Sequence, residues 1–232
     1  MKTLLILSAG IEAVPGIIKA KKLGIKTVVC DKDKNAPGFK YADYKIYSSI
    51  YKSNSLLTKV SKFNQDVRKI NGVIAIAADA SIMVSKILKK LNIKGISINT
   101  AKLCTDKLLM KMKLKSCGIN IPWFSEIKNL SQLKKILYKD KTKYIIKPVD
   151  NRGSRGVLQI DYKSDIRWCY KYCLGKSNQK KIIIEKYLKG KQISSESIIN
   201  NHESFTPGII ERNYEFLNKY KPFIIENGGQ QP

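Results

Sequence analysis

Apolar residues in the first hundred positions fall into short continuous runs, separated by stretches that repeat at helical spacing. Thr3–Leu7 and residues 27–30 and 72–76 read as strands buried on both faces, as in a parallel sheet. Residues 13–23, 55–63 (extending toward Ile70) and 81–91 read as helices. Pro15 stands in the first turn of its helix, where a missing N–H costs little, and Gly24 closes that helix. Residues 45–47 and 95–97 read as further short strands. Strands alternating with helices predict a parallel sheet with right-handed crossovers over residues 1–98.

The pattern then changes. A helix is expected over residues 99–117, closed by Gly118, and a smaller unit begins at 121–124, with Trp123 and Phe124 read as core. It continues with a helix near 131–137, a strand at 144–146 ending in Lys147-Pro148, and the loop Asp150-Asn151-Arg152-Gly153-Ser154-Arg155-Gly156. A strand at 157–160, a helix at 165–174 and a strand at 181–184 follow, the last ending at Glu185-Lys186-Tyr187-Leu188. Residues 193–199 and a strand within 205–212 read as a β-hairpin with His202 at its solvent-exposed tip.

Candidate chemistry concentrates between Lys147 and Leu188. Lys147 supplies a compact, mobile charge suited to a phosphate. Gly153 and Gly156 let the backbone turn tightly and offer N–H groups to phosphate oxygens, with the Ser154 hydroxyl as a further donor. Glu185 and the backbone after it suit an adenine edge. The plain reading is a glycine hairpin between two core strands beside a surface lysine. Arg152 and Arg155 either add charge to this loop or point to solvent. Earlier, the turn Ser8-Ala9-Gly10 between a strand and a helix, with Asp31 ending the next strand, has a dinucleotide-fold outline. It lacks G-x-G-x-x-G, which excludes an NAD site. Asp79 either sits at a ligand-binding sheet edge or caps the helix near Ser81.

The ordered set Lys147-Pro148-x-x-x-x-Gly153-Ser154-x-Gly156-Val157, an apolar strand and Glu185-Lys186-Tyr187-Leu188-x-Gly190 resembles the ATP-grasp superfamily. The similarity is to its branch of biotin carboxylase, carbamoyl-phosphate synthase and the carboxylate–amine ligases of purine synthesis. The resemblance implies an α/β chain: a Rossmann-like pre-ATP-grasp domain with a parallel sheet (1–98), a linker helix (99–119), the small lid subdomain of an α+β ATP-grasp domain (120–188), and the start of the large subdomain (189–232). Ala36-Pro37-Gly38, Ala42-Asp43 and Ala77-Ala78-Asp79 are similar to stretches of the first domain, which helps to hold the acceptor.

The resemblance also implies ATP and Mg2+ as cofactors. Lys107, after Asp106, and Lys147 would hold phosphates, and Gly153, Ser154, Arg155 and Gly156 would cover them. Glu185, Lys186, Tyr187 and Leu188 would contact adenine, and Gln192, where relatives often have Glu, would stand near ribose. On physics alone Lys107 is one more solvated lysine among Lys111, Lys113 and Lys115. The implied reaction is carboxylate–amine ligation through an acyl phosphate on small-molecule substrates. Members often dimerise, although no residue here marks an interface. Magnesium-binding acidic residues and substrate arginines lie further on in the family, so the expectation is an incomplete ATP-grasp domain, inactive as it stands. The rival readings are an ATP-binding remnant or sensor without turnover, and a nonspecific basic nucleic-acid binder.

Composition changes this little. A length of 232 residues, 43% hydrophobic and 27% charged, is that of a globular protein with a real core. A formal charge of +26 would ordinarily suggest nucleic acid. Here the charge is mostly Lys, spread along the chain in a sequence also rich in Asn and Ile, as AT-rich coding produces, and no specific nucleic-acid motif occurs. No apolar run approaches the roughly 20 residues of a membrane span, and the short apolar start reads as a first strand and not a signal, which predicts a cytoplasmic protein. The five cysteines form no framework and read as reduced thiols; Cys169 and Cys173 share one helical face.

Overall fold

In the computed structural model the sequence pattern resolves first into β1 (Thr3–Leu7), α1 (Val14–Lys22), β2 (Lys26–Asp31) and β3 (Tyr44–Tyr47). Then come α2 (Ser53–Asp66), β4 (Gly72–Ala75), α3 (Ser81–Lys90) and α4 (Ile98–Thr105). The structure describes residues 1–51, 53–200 and 203–231, so His202 and the tip of its hairpin lie outside the described residues. The chain divides into two units, Met1–Thr105 and Asp106–Pro232.

In the first unit the strands form a parallel sheet in the order β3-β2-β1-β4. Leu5 and Leu7 face one core with Leu56, Val60 and Ile87, and Ile6 faces the other with Ile17 and Phe39. Burial on both faces is why these strands read as unbroken apolar runs. Asp31 has a structural job: its carboxylate accepts from the N–H of Ala9 at 2.9 Å and so fixes the turn after β1. Gly38 donates to the carbonyl of Ala9 at 2.7 Å, and a Cβ there would stand 2.9 Å from that same oxygen.

Two expectations need correction here, and one of the two readings of Asp79 falls. Residues 95–97 form no strand: Ser97 instead precedes and caps α4, its hydroxyl accepting from the N–H of Thr100 at 3.0 Å, while Ile96 packs on the core. The helix expected over 99–117 is two helices, α4 and α5 (Lys107–Ser116). Asp106 breaks it, because its extended backbone and its carboxylate, accepting from the N–H groups of Leu108 and Leu109, start a new helix. Asp79 does not cap α3, whose N-cap is Ala80 without a side-chain hydrogen bond.

The second unit continues from α5 with β5 (Phe124–Ile127), α6 (Leu130–Asp140), β6 (Tyr144–Pro148), β7 (Leu158–Ile160), α7 (Ile166–Gly175) and β8 (Ile182–Lys186). The sheet β5-β8-β6-β7 is antiparallel throughout. Tyr144 and Ile146 of β6 and Ile182 and Ile184 of β8 pack with Leu133 and Leu137 of α6 and Cys169 and Cys173 of α7. Trp123 is not core: it is half exposed, its ring meeting Tyr144 edge-on. The hairpin β9 (Gln192–Asn200) and β10 (Glu203–Arg212) follows, with β11 (Gly229–Gln230) on its edge. No helix among the described residues is long and apolar enough to cross a membrane.

Candidate functional site

The alternation of β6 and β8 creates the site. With Ile146 and Ile184 turned into the helix-covered core, Ile145, Lys147, Ile183 and Glu185 must emerge on the opposite face of the sheet. The register sets Glu185 directly across from Ile145, so Lys147, two residues on, is its diagonal neighbour. Lys147 forms an ion pair with Oε1 of Glu185. Lys111, one helical turn beyond Lys107 on α5, meets Oε2 at 2.6 Å.

Glu185 is 8% exposed and Lys111 also 8% exposed. The expectation that Lys111 is a solvated lysine is therefore wrong. Burial by itself would raise the Glu185 carboxyl. The charge of Lys147, a hydrogen bond from each of Lys111 and Lys147, and the charge of Lys111 together outweigh burial and hold it below the usual carboxylate range.

The glycine loop is held from three sides. Asp150 accepts from the Ser177 hydroxyl at 2.7 Å and the Gln179 N–H at 2.8 Å. Asn151 donates through its side chain to the carbonyl of Lys176 at 2.8 Å. Lys107 donates from its ammonium to the carbonyl of Asn151 and from its backbone to that of Val149. Between these anchors Gly153, Ser154 and Gly156 all have positive φ. Gly156 is wedged, since a Cβ would lie 2.7 Å from Pro148 and 2.8 Å from Lys176.

These elements enclose a cleft of about 550 Å³, in the range of small-molecule sites. Lys107, Lys147, Gly153, Ser154, Glu185, Lys186, Tyr187, Leu188 and Gln192 all line it. Two residues expected at the site do not: Gly156 is buried beneath the loop, and Arg155 lines a neighbouring cavity with Tyr172 and Phe223. The N–H groups of Lys186 and Tyr187 already donate to the carbonyls of Trp123 and Lys143.

Sequence reasoning missed Ile145, Tyr214 and Ile224 in the lining. Alternation with Lys147 would have revealed Ile145. Tyr214 and Ile224 arrive because the segment after β10 crosses back to β7, where Pro222 accepts from the N–H of Gln159 at 2.8 Å. Nothing local in the sequence announces that crossing.

Comparison with known proteins fits this geometry. The formate-dependent phosphoribosylglycinamide formyltransferase of Prochlorococcus marinus is 25% identical over 194 residues, which cover 81% of this chain and 47% of that protein. The crystal structure of L-amino acid ligase from Bacillus licheniformis superposes with a TM-score of 0.77 at 19% identity, covering 100% of this chain and 55% of that one. For N5-carboxyaminoimidazole synthetase from Staphylococcus aureus complexed with ADP, the TM-score is 0.74 at 20% identity, covering 92% and 55%. The chain spans about half the length of these relatives. Residues 104–229, more than half of the chain, match the family model of the ATP-grasp domain, and the chain belongs to that family.

Proposed function

We propose that the protein serves an ATP-dependent ligation of a small-molecule carboxylate to an amine, or to another nucleophile, with ATP bound in the Lys107–Lys147 cleft. The observation that carries this reading is the convergence of two lysines from different elements and a glycine loop on one cleft. Lys107 and Lys147 offer charge to the phosphates, and Gly153 and Ser154 offer backbone and hydroxyl donors. Residues 185–188, with the apolar surfaces of Ile145, Val157 and Ile224, suit a base, and Gln192 suits the ribose hydroxyls.

In this reaction a carboxylate oxygen attacks the γ-phosphorus as the bond to ADP breaks, giving an acyl phosphate. The amine then attacks the acyl carbon, phosphate leaves, and the nitrogen loses a proton. Positioning and charge stabilisation are the protein's share, so no side-chain nucleophile is required. Magnesium is expected to accompany the nucleotide. Among the described residues no group of three or more His, Cys, Asp or Glu could hold a metal ion, so the residues present do not complete such a site and no step is assigned to it. All five cysteines are free thiols, which suits a reducing, cytoplasmic setting. A homodimer is the family-based expectation.

Titration of the protein with ATP tests the reading. Saturable binding that Lys147→Ala weakens by about tenfold or more supports it. Equal affinity in the variant would remove the phosphate site from this cleft.

A further inference from the structure

Glu185 presents two oxygens and divides them between two lysines that differ in access. Lys147 takes Oε1 and lines the cleft. Lys111 takes Oε2 at 2.6 Å, has no part in the cleft lining, and holds its ammonium 5.7 Å from the ring centre of Phe124. Lysine is seldom buried without a job for its charge. Here two cations share one anion, leaving an excess of one positive charge beside the cleft.

We infer that Lys111 is a positioning residue for the cleft: it neutralises Glu185 from the buried side and leaves the Lys147 ammonium available to an anionic ligand. The inference rests on the nucleotide reading above. Were Lys147 the sole partner of Glu185, a phosphate that drew Lys147 away would strand a buried carboxylate, and a buried unpaired charge is heavily disfavoured. With Lys111 in place, Oε2 keeps its counterion while Lys147 moves. Repulsion between the two ammonium groups acts in the same direction, because an incoming anion relieves it. Lys111 itself does not reach the cleft, so its influence passes through Glu185.

Calorimetric titration of the whole chain with ATP and with adenosine, on wild type, Lys111→Met and Lys111→Arg, tests this. Methionine keeps the unbranched stem without the charge. The expected result is a loss of about tenfold in ATP affinity for Lys111→Met, adenosine affinity within about twofold of wild type, and recovery in Lys111→Arg. In a Glu185→Gln background the Lys111→Met loss should disappear, since the buried anion is gone. Equal losses for ATP and adenosine, or an unchanged ATP affinity, would overturn the inference.

A ligand-free readout separates this from the nucleotide reading. Reductive methylation of Lys147, followed by peptide mass, should slow by about threefold in Lys111→Met because Glu185 then binds Lys147 alone. An unchanged rate overturns the inference. A wild-type protein that binds no ATP overturns the nucleotide reading, and the methylation comparison still decides the relation between Lys111 and Lys147.

Discussion

The ammonium of Lys107 donates to the backbone carbonyl of Asn151, so the first turn of α5 holds the near end of the glycine loop. Lys107 thus has two roles, a charge in the cleft and an anchor for the loop that forms its wall. Lys107→Ala should weaken ATP binding by about tenfold and also speed amide hydrogen exchange at residues 152–156. If exchange in the loop is unaltered, the anchor role fails even where affinity falls.

The two loop glycines differ in what they protect. At Gly156, φ is +83° and a Cβ would overlap Pro148 and Lys176. Gly156→Ala therefore combines left-handed strain with overpacking and should cost about 3 kcal/mol in urea unfolding. At Gly153, φ is +59° with nothing within 4 Å of a Cβ. Gly153→Ala should cost only about 1 kcal/mol, the backbone contribution alone. Equal losses at the two positions would refute the wedge.

Asp43 ties β2 to the segment before β3. It accepts from the N–H of Thr27 at 3.0 Å, from the Thr27 hydroxyl at 3.0 Å and from the Lys26 ammonium at 2.9 Å. Burial by itself would raise its carboxyl, but these donors outweigh that and lower it from 3.8 to about 2. A depressed carboxyl stabilises the fold above its unfolded value, and that stability is lost as pH falls through the folded one. Asp43→Asn should lose about 1–2 kcal/mol at neutral pH. The gap from wild type should narrow between pH 3.8 and 2, and a constant gap would show that the charge contributes nothing.

The cysteines should sort by burial. Cys104 and Cys117 are exposed, while Cys30, Cys169 and Cys173 are buried. Burial pushes the Cys30 thiol up to about 12 and the Cys169 thiol up to about 11, and raises that of Cys173 as well. A thiol-specific chromogenic reagent at pH 8 should titrate two cysteines quickly in the folded protein and the other three only after denaturation. Rapid reaction of Cys169 or Cys173 would mean that α7 opens readily.

What the sequence determined by itself is what depends on local pattern. Leu5, Ile6 and Leu7 run together because β1 is covered on both faces, and that run announces a parallel sheet without further information. Lys147, the positive-φ glycines and Glu185 were legible because their spacing along β6, the loop and β8 is itself the constraint. Lys111 was not legible, because a lysine's burial depends on the partner it meets: here Glu185, a carboxylate on a strand far along the chain that α5 meets only in the assembled fold. The same holds for Tyr214 and Ile224, delivered to the cleft by a segment that crosses back to pair Phe223 with Leu158. Residues 95–97 show the converse. Their apolar Ile96 suited a strand, but the Ser97 hydroxyl and the core beneath Ile96 settled a helix start instead. Periodicity records which face of an element is buried, and only the assembled fold decides which charges that burial brings together.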